Sequence, residues 1–321
     1  MTATTTKGRA MRHFLSADDV SGGQLLLLLD RADELKAERA ARARAEESLV
    51  GEQLRGRTVA LIFEKPSLRT RASFEVGVHE LGGKPLPMWD TEVGLGQRET
   101  VEDTGAVLGR YVHAIVIRTF SQEAITRLAD ASGVPVVNAL TDHEHPCQAL
   151  ADLQTFREVH GGFEGRTLTY VGDGNNVAHS LLLAGPKLGL SVRVAHPPGY
   201  APDESVVARA RELAAGTGAE VLVTTDPQQA ADGAHALYTD VWASMGQEDE
   251  AAERAAVFAP YQVTTDLLAR AADDAVLLHC LPAHRGEEVA AEVIDGEAAR
   301  VFDQAENRLH AQKALLEDLL G

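Results

Sequence analysis

Residues 63 to 71 read Phe63-Glu64-Lys65-Pro66-Ser67-Leu68-Arg69-Thr70-Arg71. The apolar run at 59–63 before this turn is short and partly β-branched, and Pro66 closes it, so it predicts a buried strand. Residues from Thr70 onward suit a helix, which places Ser67 at the N-cap of a strand-to-helix turn. Because the first turn of a helix has unpaired N–H groups and a partial positive charge, this stretch predicts an anion-binding site.

The side chains of this turn support the same prediction. Arg69, Arg71 and the hydroxyls of Ser67 and Thr70 form a compact cradle for a phosphate or carboxylate, although a solvated helix start with surface arginines would show the same residues. In a helix, Arg69 and Arg71 point to nearly opposite sides. Arg71 precedes Glu75 by four residues, which predicts a structural ion pair, so we favour Arg69 for the anion.

Strand-like runs recur along the chain with helical patterns between them. They lie at 59–63, 85–89, 112–118, 134–139, 167–172, 192–196, 221–224, 236–240, 276–279 and 301–302. This alternation predicts an α/β fold of two doubly wound domains, each with a central parallel sheet flanked by helices. We expect domains at 1–148 and 149–305, a joining helix from residue 146 to about 159, and a helix at 306–321 that packs back on the first domain.

The composition excludes several classes of protein. A length of 321 residues fits two domains, and the net charge of −18 argues against binding to nucleic acid or an anionic membrane. The first twelve residues lack the apolar core of a secretory signal and predict a loose tail. With two cysteines, Cys147 and Cys280, the chain has too few for a disulfide framework, so we expect a cytoplasmic protein.

Unusual residues cluster where the predicted strands end. Arg118 ends one strand, Asp240 ends another, and His279 and Cys280 end a third. In open parallel sheets, ligands bind just beyond the carboxyl ends of the strands. We therefore expect an active site in the cleft between the two domains.

The turn Gly172-Asp173-Gly174-Asn175-Asn176 begins like a dinucleotide fingerprint but lacks the third glycine at the right offset. A nucleotide-linked oxidoreductase is one interpretation of this turn. Asparagines are better suited to hold a carboxylate or an amine. A tight turn with left-handed residues is the structural alternative.

The segment His145-Pro146-Cys147-Gln148 opens a predicted helix. Pro146 keeps His145 out of the α region and suits the first helical position itself. His145 and Gln148 can then both donate a hydrogen bond to one substrate oxygen, while a capping histidine and a solvated glutamine form the structural alternative.

The apolar strand at 276–279 runs into His279-Cys280-Leu281-Pro282-Ala283-His284. Zinc held by His279, Cys280 and His284 is conceivable, but the spacing matches no common structural site. A nucleophilic Cys280 is a second possibility, and a loop that lines a pocket is the simplest one. Asp240 suits the anchoring of an amino group, and the glycine-containing loop after it suits a lid.

Taken together, these motifs resemble the ornithine carbamoyltransferases over residues 12 to 320. The patterns are S-x-R-T-R at 67–71, H-P-x-Q at 145–148, D-x-W-x-S-M-G at 240–246, H-C-L-P at 279–282 and F-D-Q-A-E-N-R at 302–308. The first two are shared with aspartate carbamoyltransferases, and S-M-G with H-C-L-P marks the ornithine branch.

The resemblance implies transfer of a carbamoyl group from carbamoyl phosphate to the δ-amine of L-ornithine in arginine biosynthesis. The implied carbamoyl-phosphate residues are Ser67, Leu68, Arg69, Thr70, Arg118, His145, Gln148, Cys280, Leu281 and Arg308, of which Arg118, His145, Gln148 and Cys280 are catalytic. The implied ornithine residues are Asn176, Asp240, Ser244 and Met245.

The family's pattern further implies a homotrimer that needs neither cofactor nor metal. The alternatives are a carbamoyltransferase for N-acetylornithine, putrescine or aspartate, and a non-catalytic protein that keeps the pocket. Two positions depart from the family's pattern. Gly94 stands where a Gln that reaches the adjacent subunit is common, with Gln97 or Arg98 as its replacements, and Leu68 stands where Thr is commoner, which should matter less because the backbone N–H faces the anion.

Overall fold

The computed structural model describes residues 13–243 and 251–321. Its strands are β1 Thr58–Phe63, β2 Lys84–Trp89, β3 Ala114–Arg118, β4 Val136–Leu140, β5 Thr167–Val171, β6 Ser191–Ala195, β7 Val221–Thr224, β8 Ala236–Thr239 and β9 Val276–His279. They form one sheet in the order β2-β1-β3-β4 and a second in the order β7-β6-β5-β8-β9. Every pairing between these strands is parallel, which confirms the α/β fold class.

Helices connect the strands and cover both faces of each sheet. They are α1 Gly22–Arg44, α2 Leu68–Glu80, α3 Asp90–Val93, α4 Val101–Leu108, α5 Gln122–Ser132, α6 Pro146–His160, α7 Asn176–Ala184, α8 Glu204–Ala215, α9 Pro227–Ala231, α10 Ala251–Phe258, α11 Thr265–Leu268, α12 Ala291–Ile294 and α13 Val301–Leu320. Strands β1 and β3 are almost wholly buried as a result, which explains their unbroken apolar sequences. Within the described residues, no helix is long and apolar enough to cross a membrane.

The predicted strand at 301–302 is wrong, because Val301 and Phe302 begin α13. The chain meets the second sheet two residues earlier, at Ala299, which forms a single parallel bridge with Leu277 of β9. The backbone N–H of Arg300 then donates to the Leu277 carbonyl. The Gln304 N–H then donates to the Arg300 carbonyl, and the helix starts. A two-residue apolar pair has no period, so its sequence alone cannot separate these outcomes.

Helix α13 carries the C-terminal part of the chain across α1, α2 and α6. A buried ion pair joins it to the end of α2, with 2.9 Å between Lys313 Nζ and Glu80 Oε2. Helix α6 leads from the first sheet to the second, since it follows β4 and precedes β5. The packing of α6 against α13 brings residues of both sheets to one cleft.

Candidate active site

The site begins at the first turn of α2, where the chain leaves β1. Ser67 is the N-cap, as predicted, and its side chain makes no capping hydrogen bond. Leu68 turns its side chain outward with 79% exposure, whereas Thr70 is fully buried. The first-turn N–H groups of such a helix lack intrahelical acceptors, so the turn offers donors to an anion.

Arg71 faces away from this turn. It forms an ion pair with Glu75, which confirms the predicted structural contact, and its guanidinium lies 4.7 Å from the centre of the Trp89 ring. The contacts with Glu75 and Trp89 therefore account for Arg71 as a structural residue, and Arg69 remains the candidate for the anion.

Arg308 of α13 is buried against α2 and α6. Its Nη2 donates to Thr70 Oγ1 at 2.7 Å and its Nη1 to Gln148 Oε1 at 3.0 Å. Its Nε has no hydrogen-bond partner in the part of the chain that the structure describes. One guanidinium thus links the first turn of α2 to the start of α6.

The positive charges of three arginines act on one another in this cleft. Arg118, at the end of β3, has a pKa lowered to about 10 by burial and by the positive charges of Arg308 and Arg69, and it is still protonated at neutral pH. Burial likewise lowers the pKa of Arg308. The Arg118 Nε is a second buried donor without a partner among the described residues. Like charges gathered out of water are stabilised when an anion binds between them, so this cluster predicts a site for a phosphate-sized anion.

His145 lies at the N-cap of α6, buried beside the arginines. The backbone N–H of His145 donates to Ser180 Oγ at 3.0 Å and to the Asn176 carbonyl at 3.3 Å, and these two bonds fix the backbone there. Burial and the charges of Arg308 and Arg118 lower its pKa well below the ordinary value, so the imidazole is neutral. Its Nδ1 has no partner within residues 13–243 and 251–321, which leaves the ring open to a ligand.

Asp240 follows β8 on the other side of the cleft. One carboxylate oxygen accepts from the Cys280 thiol at 3.0 Å, and the other accepts from Asn175 Nδ2 at 3.1 Å. Burial and the Asp240 charge raise the pKa of Cys280 well above its ordinary value. The thiol is therefore protonated and acts as a donor, which disfavours the nucleophilic cysteine considered above.

The neighbours of Cys280 are tightly fixed. Leu281 adopts a left-handed backbone with φ 56, and its N–H donates to His279 Nδ1 at 2.9 Å. The other His279 nitrogen lies 3.1 Å from Glu288 Oε1, with both side chains fully buried. Asn176 lies at the first position of α7, where its Nδ2 donates across the cleft to the Thr141 carbonyl at 2.6 Å.

Potential metal ligands fall into two groups among the described residues, one of Asp240, His279 and Cys280 and one of His284, Glu287 and Glu288. The trio of His279, Cys280 and His284 is not brought together there. Both nitrogens of His279 already have protein partners, which makes it a poor ligand.

The turn after β5 is built as a helix cap. Asn175 Oδ1 accepts from the N–H groups of Val177 and Ala178, at 3.0 and 3.3 Å. A Cβ at Gly174 would lie 2.2 Å from the Pro202 nitrogen, so this glycine allows close packing of two backbone segments. The geometry favours a capped turn over a pyrophosphate-binding loop.

Other predicted positions are not part of the contacts described so far. Ser244 and Met245 lie outside the described residues, as do residues 244–250 of the proposed lid between Trp242 and Pro260 and the tail at 1–12. The described remainder of the proposed lid contains helix α10. Gly94 has φ +57 and packs under the Arg98 side chain, which donates to the Glu92 carbonyl at 3.3 Å.

Two residues of the site, Asp152 and Glu288, were not singled out in the sequence, whereas Asn175 and Gln304 stood inside quoted motifs without a role of their own. Asp152 accepts from Gln148 Nε2 at 2.7 Å, and Gln304 donates to the same carboxylate. The one available signal was the spacing of Gln148 and Asp152, four residues apart on a helix that is otherwise rich in apolar residues.

Comparisons with known proteins match the whole chain. Residues 12–158 match the family model described as aspartate/ornithine carbamoyltransferase, carbamoyl-P binding domain, and residues 164–319 match the Asp/Orn binding domain of the same family. The ornithine carbamoyltransferase of Parafrankia sp. (strain EAN1pec) is 59% identical over 309 residues, which cover 96% of each chain. That of Acidothermus cellulolyticus is 56% identical over 310 residues, or 97% of each chain.

Solved structures agree with these matches. The ornithine carbamoyltransferase from Gloeobacter violaceus superposes with a TM-score of 0.86 at 49% identity, over 98% of this chain and 100% of that one. The enzyme from Pyrococcus furiosus gives a TM-score of 0.92 at 47% identity, over 97% and 98%.

Proposed function

The chain belongs to the aspartate/ornithine carbamoyltransferase family, and we propose that it is an ornithine carbamoyltransferase of arginine biosynthesis. It would convert carbamoyl phosphate and L-ornithine to L-citrulline and phosphate. The observation that carries this proposal is the end-to-end similarity to ornithine carbamoyltransferases, at 59% identity in one case. The cleft supports it with a cationic half on one side and the Asp240–Cys280 pair on the other.

We place carbamoyl phosphate in the cationic half. The residues proposed to hold it are Ser67, Leu68, Arg69, Thr70, Arg118, His145, Gln148, Cys280, Leu281 and Arg308. The first-turn N–H groups of α2 and the arginines would bind the phosphate and neutralise it as it leaves. The bond that breaks joins the carbamoyl carbon to the phosphate oxygen.

Attack on the carbamoyl carbon builds negative charge on the carbamoyl oxygen. Arg118, His145 and Gln148 are the donors proposed to stabilise that charge, and the buried position of each means that little reorganisation is needed. Because His145 is neutral, its ring supplies one N–H without adding a further positive charge to the arginine cluster.

We place ornithine on the second side of the cleft, held by Asn176, Asp240, Ser244 and Met245. Asp240 suits recognition of the α-ammonium, and Cys280 with nearby backbone groups would contact the δ-amine. An amine with a pKa of about 10.4 is mostly protonated at neutral pH, so the attacking form is scarce. A new C–N bond forms when the neutral amine attacks, and water or the departing phosphate takes the released proton.

Three further features belong to the same proposal. Residues 1–148 would form the carbamoyl-phosphate-binding domain and residues 149–305 the ornithine-binding domain. We propose a homotrimer, which sedimentation would distinguish from a monomer or dimer, and a cytoplasmic location, where two free cysteines stay reduced.

The test is ureido-product formation from carbamoyl phosphate with ornithine, N-acetylornithine, putrescine and aspartate supplied separately. Turnover with ornithine alone is the expected result. Preference for another amine would overturn the assignment of the Asp240 side, and no product with any amine would favour a binding protein that keeps the pocket.

A further inference from the structure

A single buried carboxylate orients two glutamines in the cleft. Asp152 Oδ1 accepts from Gln148 Nε2 at 2.7 Å and from Gln304 Nε2 at 2.6 Å. Its Oδ2 has no partner at hydrogen-bonding geometry among the described residues, and the whole side chain is removed from solvent. The Tyr238 hydroxyl and the positive charge of Arg308 also lower the pKa of this carboxyl, but the effect of burial is larger and raises it. Because neither glutamine carries a charge, this carboxylate is expensive to bury, and its presence calls for a reason other than stability.

The chemistry of the partners decides which way each amide faces. Arg308 can only donate, so the oxygen of Gln148 must face it and the nitrogen must face Asp152. The backbone N–H of His279 donates to Gln304 Oε1 at 2.8 Å, so the amide nitrogen of Gln304 also faces Asp152. An amide nitrogen has two N–H groups, and Gln148 therefore keeps one for the proposed carbamoyl oxygen.

These contacts form one continuous series across the cleft. It runs from Thr70 through Arg308, Gln148, Asp152 and Gln304 to the backbone N–H of His279. Its first end lies in the phosphate-binding turn of α2. Its last end adjoins Cys280, whose thiol is bonded to Asp240. Buried, fully directed hydrogen bonds of this kind hold both ends in one arrangement.

We propose that Asp152 is a positioning residue that, through Gln148 and Gln304, holds the carbamoyl-oxygen donor and the Cys280 segment in a fixed relation to each other. The proposal deepens the carbamoyltransferase function and rests on it. Loss of the acceptor at Asp152 lets the Gln148 amide turn and frees Gln304. Loss of Gln304 alone releases the Cys280 segment and leaves the bond between Arg308 and Gln148 in place.

The same two helices supply a matched control. Three residues farther along each, Asn307 Nδ2 donates to Thr155 Oγ1 at 2.9 Å, also in the buried interface of α6 and α13. Thr155→Val removes that contact without touching the series that crosses the cleft. The variant also loses the bond from Thr155 Oγ1 to the Ala151 carbonyl at 2.8 Å, while Asn307 Nδ2 keeps Glu158 Oε2 at 2.8 Å. It therefore reports what lost hydrogen bonds in this interface cost in stability alone.

The experiment compares Asp152→Leu, Asp152→Asn, Gln304→Leu and Thr155→Val in the full chain. Urea unfolding gives the stability of each variant, and steady-state assays give kcat and the KM for both substrates. Asn keeps an acceptor oxygen where Oδ1 lies and puts its NH2 where Oδ2 makes no bond, so it should rescue function. A lost orienting bond in the site corresponds to roughly 10- to 100-fold in rate.

We expect Asp152→Leu to lower kcat about 10- to 100-fold and Asp152→Asn to stay within about threefold of wild type. Gln304→Leu should raise the KM for ornithine more than the KM for carbamoyl phosphate. Thr155→Val should lose stability and keep all three constants. The proposal is overturned if Thr155→Val impairs kcat as much as Asp152→Leu, or if Asp152→Asn is as defective as the leucine variant.

Two readouts keep the test decisive. If Asp152→Leu does not fold, an unchanged KM for ornithine in Gln304→Leu overturns the proposal. The function itself is judged on the wild type alone, by turnover with ornithine.

If that turnover is absent, stabilisation against urea by inorganic phosphate is compared in wild type, Asp152→Asn and Gln304→Leu. We expect phosphate to stabilise all three, because the bond between Arg308 and Gln148 persists in each, and loss of stabilisation in Asp152→Asn would refute the positioning role.

Discussion

Replacement of His145 by alanine tests the role of the neutral imidazole most sharply. The ring is buried, its Nδ1 has no partner among the described residues, and its pKa lies well below the ordinary value. Loss of one preorganised donor to a developing oxyanion costs about 2.7–4 kcal/mol, or roughly 10²–10³-fold in kcat. Because the ring is already neutral at neutral pH, the loss should be the same from about pH 6 to about pH 9.

His179 provides the matched control for this variant. It is also buried with a lowered pKa, but its Nδ1 pairs with the His143 carbonyl at 2.8 Å and its Nε2 accepts from the Asp203 N–H at 3.0 Å. With both nitrogens used by the protein, His179→Gln should weaken folding and leave kcat nearly unchanged. Citrulline formation at saturating substrates measures kcat for each variant. A His145→Ala enzyme within threefold of wild type, or a defect that disappears at high pH, would refute the reasoning.

Three other predictions concern charge. Arg69→Ala should lower kcat/KM for carbamoyl phosphate roughly 10- to 100-fold, whereas Arg71→Ala should change it little. Because the ion pair of Arg71 with Glu75 is partly exposed, its loss should cost at most about 0.5 kcal/mol in the free energy of unfolding by urea. Equal kinetic defects in the two variants would contradict this prediction. Burial raises the pKa of Asp152 from 3.8 to about 7, so the folded protein holds this proton more tightly than the unfolded chain does. The stability that comes from this difference is fully present below about pH 4 and is lost by about pH 7. The stability of Asp152→Asn relative to wild type should therefore increase over that range by roughly 4 kcal/mol, at about 1.4 kcal/mol per pH unit, and a constant difference in urea unfolding would exclude it. Finally, kcat should rise with pH above neutrality as the δ-amine loses its proton, and a flat profile from about pH 6 to about pH 9 at saturating substrates would argue otherwise.

Local sequence was enough to predict much of the fold. Ser67 is the N-cap and the strand before it is buried, because a short apolar run closed by proline leaves few alternatives. The predicted strands at 112–118 and 134–139 began too early, since Val112 and Val134 pack in the same core but precede the first ladder pairs. Apolar residues indicate which segment is buried, whereas hydrogen bonding to the neighbouring strand determines where a strand begins.

The interior of the site was harder to predict. Gln304 and Asp152 are 152 positions apart, and their contact arises from the packing of α13 on α6. Likewise, the raised pKa that keeps the proton on Cys280 comes from burial and from the charge of Asp240, which lies at another strand end. Motifs indicated which residues belong to the site, but the tertiary fold decides which atoms are paired and which remain open to substrate.

The most direct test of the central claim follows the carbamoyl carbon itself. Carbamoyl phosphate labelled with carbon-13 is incubated with L-ornithine and the purified protein, and the product is identified by NMR. The account predicts citrulline labelled at the ureido carbon, with phosphate released in equal amount and roughly 100- to 1000-fold slower labelling by His145→Ala. Label that fails to enter citrulline with the wild-type protein, or enters the carbamoyl derivative of a different amine in preference, would contradict it.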